Sequence, residues 1–290
     1  MKLSEHTLLE SGIIEKRLSN GGTLQTKRLN RESMDSITLL DGTIWDKTEL
    51  IEKMNDDSFY YGYLSKAALS SSSLKLLLDS PKTYRNVTEY GNEESQALRD
   101  GWLFHTAILE PEVFSSQIFV DVASKNTKAY KEAKAEHGKV FTMTEKNDAE
   151  RIADAFLRNT KAVELIRDCE FEVPVIGEVM GFPFRGKADV LGKNRIVDLK
   201  TTTDIKAFPY SAKKYSYDVQ CYLYSTLFGI DYKDFVFLAV DKKSLDIAVY
   251  YCSEEFYHAG EQKVEAALEI YDTYFLQAAD LDQYYIEGIL

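Results

Sequence analysis

Apolar and polar positions alternate with a period close to two across residues 171–200. On either side, apolar residues recur every three or four positions. The alternating stretch predicts strands over 171–179, 182–191 and 195–200, with Gly192-Lys193-Asn194 as a tight turn and Pro174 marking an edge or a bulge. Two more strands are expected over 235–240 and 245–251, and a short one over 118–122. Residues 70–73 supply an N-cap for a helix through Leu74-Lys75-Leu76-Leu77-Leu78, which Asp79-Ser80-Pro81 ends. Pro81 then starts a second short helix. Longer helices are expected over 93–109, over about twenty residues from Thr144, over 218–228, after a loop that follows Thr203, and over 254–274. The inner stripe of the Thr144 helix would be Ile152, Ala155, Phe156, Val163 and Ile166. This order predicts an α/β fold, a central mixed β-sheet flanked by helices.

Residues 1–60 follow a different pattern. Short apolar clusters alternate with turn signals (Asn20-Gly21-Gly22, Asp41-Gly42), and residues 49–54 suit a short helix. The expected organisation is an N-terminal extension, 1–62, and one compact domain, 63–290, whose packing begins near Leu64.

Composition sets limits on function. Apolar residues make up 44% of the chain, with 19 Tyr and 15 Phe, which excludes a disordered protein. No apolar run approaches the roughly 18 residues of a membrane span, and Met1-Lys2-Leu3-Ser4-Glu5-His6 lacks a secretory layout. Cys169, Cys221 and Cys252 form no Cys-x-x-Cys pair. That argues against a zinc ribbon, an iron–sulfur cluster or a disulfide scaffold, and for a reducing cytoplasm. The net charge of −12 at first opposes a nucleic-acid role. Its distribution points the other way: residues 241–290 hold eleven acidic and three basic side chains, residues 182–214 eight basic and three acidic. A basic island in an acidic protein suits a groove that admits a polyanion locally.

The chemistry concentrates in that island. Gly186-Lys187-Ala188-Asp189 lies on one strand and Asp198-Leu199-Lys200 on the next, two carboxylates and an ammonium in otherwise apolar runs. Carboxylates of this kind hold a hard cation, and a lysine beside them stabilises an attacking water or phosphate oxygens. If the hairpin loop is Lys193-Asn194, Asp189 falls directly opposite Asp198 on one face; a loop one residue longer would separate them. His105 projects from the face of its helix that carries Leu98 and Trp102. It is either a packed core group or a third ligand through neutral imidazole. Gln220 and Tyr224, four apart, share a helix face and could hold a phosphate or position a base. Glu172, on the strand before, could bind a metal or orient Lys200, or be a plain strand-surface carboxylate.

In their order along the chain these motifs resemble the RecE-like nuclease domains, within the RecB-like branch of the PD-(D/E)xK superfamily. The resemblance runs from about Leu64 to about Tyr274. It rests on Leu74 to Tyr84 with its Ser-Pro-x-x-Tyr ending, Gly101 to Pro111, Phe184 to Asp189, Ile196 to Ile205 and the Val-Gln-x-x-x-Tyr helix. It implies a PD-(D/E)xK nuclease-like core, with His105, Asp189, Asp198 and the Leu199 carbonyl as ligands of Mg²⁺ (Mn²⁺ as a substitute). Lys200 would be the catalytic lysine, Gln220 and Tyr224 would lie beside the DNA, and Glu172 would match an acidic position of the family. Arg85, Arg185, Lys187, Lys213 and Lys214 are the candidate DNA-binding cations. Lys187-Ala188 departs from the family's Arg-Pro before the aspartate. The implied activity is exonucleolytic digestion of double-stranded DNA ends, 5′ to 3′, leaving 3′ overhangs for a single-strand annealing protein in phage-type recombination. The implied assembly is a homo-oligomer, a tetrameric ring. An endonuclease or helicase-associated nuclease of the superfamily, or a non-catalytic DNA-binding scaffold, are the alternatives.

Overall fold

The computed structural model describes residues 35–91 and 94–288, together with the backbone of three strands nearer the N-terminus. Those strands, β1 (Thr7–Leu8), β2 (Ile13–Arg17) and β3 (Thr23–Lys27), form an antiparallel sheet. A short hairpin of β4 (Ser36–Thr38) and β5 (Ile44–Asp46) precedes α1 (Lys47–Lys53), a π-helical turn at Phe59–Tyr63 and α2 (Leu64–Ala67). Then come α3 (Ser71–Asp79), α4 (Pro81–Tyr90), α5 (Gln96–Leu109) and α6 (Pro111–Ser115). Two-residue strands β6 (Phe119–Val120) and β7 (Phe141–Thr142) pair in parallel around α7 (Lys128–His137), and α8 (Met143–Arg158) and α9 (Thr160–Ile166) follow. The main sheet is built from β8 (Glu170–Val179), β9 (Phe182–Gly192), β10 (Arg195–Thr202), β11 (Phe235–Asp241) and β12 (Ile247–Tyr251). Helices α10 (Phe208–Lys214) and α11 (Tyr217–Phe228) cross between β10 and β11, and α12 (Glu254–Tyr271) closes the fold.

The strand order is β12-β11-β10-β9-β8, with only β10 and β11 parallel, so the sheet is mixed as expected. β8 is an edge, consistent with Pro174. Helices cover both faces. Ile196, Phe235, Phe237 and Ala239 face Leu74 and Leu77 of α3, Val219 and Leu223 of α11 and Val264 of α12. Val197, Leu199, Val236 and Leu238 face Phe104 and Ile108 of α5, Ile152 and Phe156 of α8 and Leu165 of α9. Every residue of β11 is buried, which explains its unbroken apolar run rather than an alternating one.

Four local expectations are corrected. Among the described residues, packing already includes Ile37, well before Leu64: Ile37, Leu39, Leu50, Met54 and Tyr60 form a core cluster with Ile176 of β8. The single helix expected from Thr144 is two. Thr142 and Glu145 make a capping box at the start of α8, and Asn159 leaves helical geometry to cap α9. The loop after Thr203 contains α10, and the strand expected over 118–122 shrinks to two residues. No described helix is long and apolar enough to cross a membrane.

Candidate active site

The β9–β10 hairpin sets the site. Arg195 pairs with Gly192, Ile196 with Leu191 and Val197 with Val190, so Lys193 and Asn194 alone form the loop. This register brings Asp189 level with Asp198, yet the ladder stops one residue short of them. The Asp189 carboxylate takes the place of a main-chain partner, its Oδ2 accepting the Leu199 N–H at 2.8 Å. The pleat also breaks here: Ala188 packs in the α3/α11/α12 layer and Val190 in the α5/α8/α9 layer, although residues two apart should share a face. Opposite, Glu172 has φ +51° and the pairing of β8 with β9 skips the 172/189 level. The expectation that both aspartates lie on one face of a regular sheet is therefore corrected. They meet across a gap where three strands distort together.

Each carboxylate draws partners from a different helix layer. Asp189 Oδ2 is 2.9 Å from His105 Nε2 of α5. The other ring nitrogen, Nδ1, is 2.7 Å from the Gly101 carbonyl, which orients the ring and turns Nε2 toward the site. Asp198, 1% exposed, accepts from the Gln220 amide of α11 through Oδ1 and contacts the Lys200 ammonium through Oδ2. Lys200 Nζ also lies over the Tyr217 ring, 4.9 Å from its centroid.

The charges bear on one another. Burial disfavours the His105 imidazolium, but Asp189 outweighs it and lifts the group to about 9. Burial likewise opposes charge on Asp189, and His105 outweighs it, holding the carboxyl below its ordinary range. Asp198 goes the other way, raised by burial and by repulsion from Asp189 against the pull of Lys200. Lys200 stays protonated beyond its usual range because Asp198 and Asp189 overcome its burial. Glu172 is pushed up to about 7 by burial and by the charges of Asp189 and Glu110. It sits on the Asp189 side of the site.

Other expected residues have different surroundings. Tyr224 is buried, its ring wedged against Gly186 and its phenol oxygen accepting the Lys187 N–H at 3.3 Å; it braces β9 from the core rather than facing a surface. Arg185 is 9% exposed with its guanidinium over the Tyr60 ring at 4.3 Å, and Lys187 pairs with Asp57 at 3.3 Å under the same cover. Neither is the exposed cation that a DNA-binding role would require, because residues 57–60 lie over them. Lys213 and Lys214 are exposed at the end of α10, and Arg85 is exposed on α4. Sequence reasoning passed over Glu110, whose charge reaches Glu172. It passed over Tyr217 and Lys75 as well, whose ammonium lies over Tyr217 at 5.1 Å. A lone lysine inside a leucine run carries no signal of such a role.

Among the described residues no three His, Cys, Asp or Glu side chains already stand as a metal-binding group. The donor chemistry nevertheless fits a hard divalent cation. Asp198 Oδ2 is buried and faces the Lys200 ammonium, and His105 Nε2, turned into the gap by Gly101, would become a donor on giving up the proton it shares with Asp189. Leu199 donates its N–H toward β9, and in an extended strand the carbonyl of the same residue points to the same edge.

Comparison with known proteins follows the same line. The profile of a PDDEXK-like domain of unknown function (DUF3799) matches residues 70–277. No curated protein matches the chain. Among solved structures, a provisionally named exonuclease from Eubacterium rectale aligns at a TM-score of 0.58 with 16% identity, covering 81% of this chain and 95% of its own. A phage-related exonuclease from Haemophilus somnus 129PT aligns at 0.33 with 17% identity, covering 75% and 99%; a score this low carries no argument. At 16% identity the first likeness speaks for the fold alone. By the profile match over 70–277 and the mixed five-stranded sheet between two helix layers, the chain belongs to the PDDEXK-like domain family.

Proposed function

We propose that the protein is a metal-dependent exodeoxyribonuclease that digests double-stranded DNA from its ends, 5′ to 3′, leaving 3′ overhangs for a single-strand annealing partner. One observation carries the reading: His105, Asp189, Asp198 and Lys200 converge where β9 and β10 part. The name of the aligned exonuclease from Eubacterium rectale agrees with it. Polarity, the annealing partner, a ring-shaped homo-oligomer and a cytoplasmic site of action rest on the resemblance to RecE-like domains.

His105, Asp189, Asp198 and the Leu199 carbonyl would hold Mg²⁺, or Mn²⁺ in its place, which supplies Lewis-acid polarisation of a phosphate oxygen and a more acidic water. Lys200, kept protonated by its two aspartates, has no free lone pair to accept a proton from water. Its role is charge: an ammonium beside the phosphorus stabilises the pentacovalent transition state in a site that largely excludes solvent. Gln220 fixes the Asp198 carboxylate in one rotamer, and Gly101 fixes His105.

The test is digestion of a linear duplex labelled separately at its 5′ and 3′ ends, beside a closed circle, with Mg²⁺ or with chelator. Expected are release of 5′ label, an intact circle, no reaction in chelator, and a loss of roughly 100-fold or more in Lys200→Ala. Cutting of the circle would replace the exonuclease reading with the endonuclease one. Undiminished activity in Lys200→Ala would remove the site assignment.

A further inference from the structure

Lys75 stands in the middle of α3, between Leu74 and Leu77, which are both fully buried. Lys75 itself is half-buried, and its ammonium rests over the Tyr217 ring, 5.1 Å from the centroid. The Lys200 ammonium rests over that ring too, at 4.9 Å. Two like charges thus share one aromatic side chain beside the candidate active site.

The nearby carboxylates do not neutralise the newcomer. The charges of Asp198 and Asp218 reach Lys75, but Asp198 is taken by Lys200 and Asp218 by Lys263, at 2.7 Å. Among the described residues, Lys75 therefore holds no carboxylate of its own. A half-buried ammonium that shares a ring with another ammonium, with only the ring face to offset it, is unfavourable in the folded protein. Consistent with this, burial and then Lys200 pull its pKa down to about 8. A cost of this kind, localised next to reactive groups, is offset when an anion enters.

We propose that Lys75 is a substrate-binding residue: its ammonium, seated on Tyr217 beside Lys200, takes a backbone phosphate of the DNA strand next to the phosphate being cleaved. The inference rests on the nuclease reading for the identity of its ligand. Lys200 is committed to Asp198, where hydrolysis would occur, whereas Lys75 is the cation in the same layer left without a partner among the described residues. Tyr217 sets the spacing of the two, and its stacking on Phe237 (5.6 Å) and contact with Phe208 (6.0 Å) hold it in place.

The test uses the full chain and a fluorescein-labelled blunt duplex, with binding measured in chelator so that it does not depend on cleavage. In Lys75→Met the affinity should fall about tenfold or more, and the slope of log K against log salt should become shallower by about 0.9. Lys75→Arg should restore most of both. Methylphosphonate substitution, one linkage at a time, should weaken wild-type binding at one phosphate near the end. Lys75→Met should show no further loss at that linkage.

A merely structural lysine would behave differently. Removing it would lower Tm, whereas a binding lysine without a counter-ion should leave Tm of the DNA-free Lys75→Met protein unchanged or higher. Should Lys75→Met not fold, the structural alternative is correct and the inference falls. Unchanged affinity and salt slope in Lys75→Met, or the same set of sensitive phosphates in both proteins, would also overturn it, as would failure of the wild type to bind duplex. Wild-type binding without any Mg²⁺-dependent cleavage would instead remove the nuclease reading and leave the phosphate subsite standing.

Discussion

Gly186 shows how one absent side chain positions the strand that carries Asp189. A Cβ there would stand 2.8 Å from Tyr224 Cε1 and 3.4 Å from Val175 Cγ1. The Tyr224 ring cannot retreat freely, because Phe228 and Phe235 meet it edge-on at 6.2 and 6.4 Å. Gly186→Ala should therefore cost about 1–3 kcal/mol by overpacking. It should also displace β9 three residues before Asp189, lowering kcat more than it raises KM. Thermal denaturation and steady-state cleavage would check both; wild-type behaviour in Gly186→Ala would show that the ring is not wedged. In the sequence, this glycine reads only as part of a motif. Its reason lies in a ring from a helix 38 positions further on, and no local pattern reveals such a contact.

At the scale of elements, the placement of α5 matters most, because it carries His105. Its first turn is tied to α8 through Glu145, whose Oε1 accepts from Arg99 Nε (2.8 Å), Lys125 Nζ (2.8 Å) and Gln96 Nε2 (2.9 Å). Glu145 Oε2 accepts the Thr142 N–H at 2.7 Å, so the same carboxylate caps α8. Burial pushes this carboxyl up, but the hydrogen bonds from Arg99 and Lys125 outweigh it and hold the group well below its ordinary 4.5. A depressed acid contributes stability that is complete above its unfolded value and lost as pH falls through the folded one. Glu145→Gln should cost about 3 kcal/mol at neutral pH, and the gap from wild type should narrow as pH drops below 4.5. Tm measured against pH in both proteins reads this directly; a gap independent of pH would refute the ionic account. The capping signals of α8 and α9 are present in the sequence, yet a longer amphipathic run hides Thr142 and Asn159.

At the scale of the whole molecule, the N-terminal segment is not a separate lead-in over its described part. Residues 37–68 pack on Ile176 of β8, and Leu69 pairs with the stretch of β9 that β10 leaves free: its N–H donates to Pro183 and its carbonyl accepts from Arg185, at 2.9 and 2.8 Å. Tyr60 covers Arg185 and Asp57 pairs with Lys187, so this cover withdraws two cations from the basic island. A chain starting at Leu64 should lose Ile37, Leu39, Leu50, Met54 and Tyr60 from the core and expose Ile176. At about 1.5–3 kcal/mol for each buried side chain, that loss is comparable to the whole usual stability of a domain. The truncated chain is expected to aggregate or unfold; a monomeric product with wild-type Tm would contradict the packing described.

The sequence alone determined the five strands of the main sheet and most of the helices, and it made the alignment of Asp189 with Asp198 depend on a two-residue hairpin loop. These follow from side-chain period and turn chemistry, which act over a few neighbouring residues. Only the tertiary structure decided that the pleat breaks at Asp189, that Tyr224 points into the core, that residues 57–60 cover Arg185 and Lys187, and that Lys75 and Lys200 share Tyr217. Each of these depends on which distant surface packs over a given face. That is a matter of volume and charge in three dimensions, and spacing along the chain does not encode it.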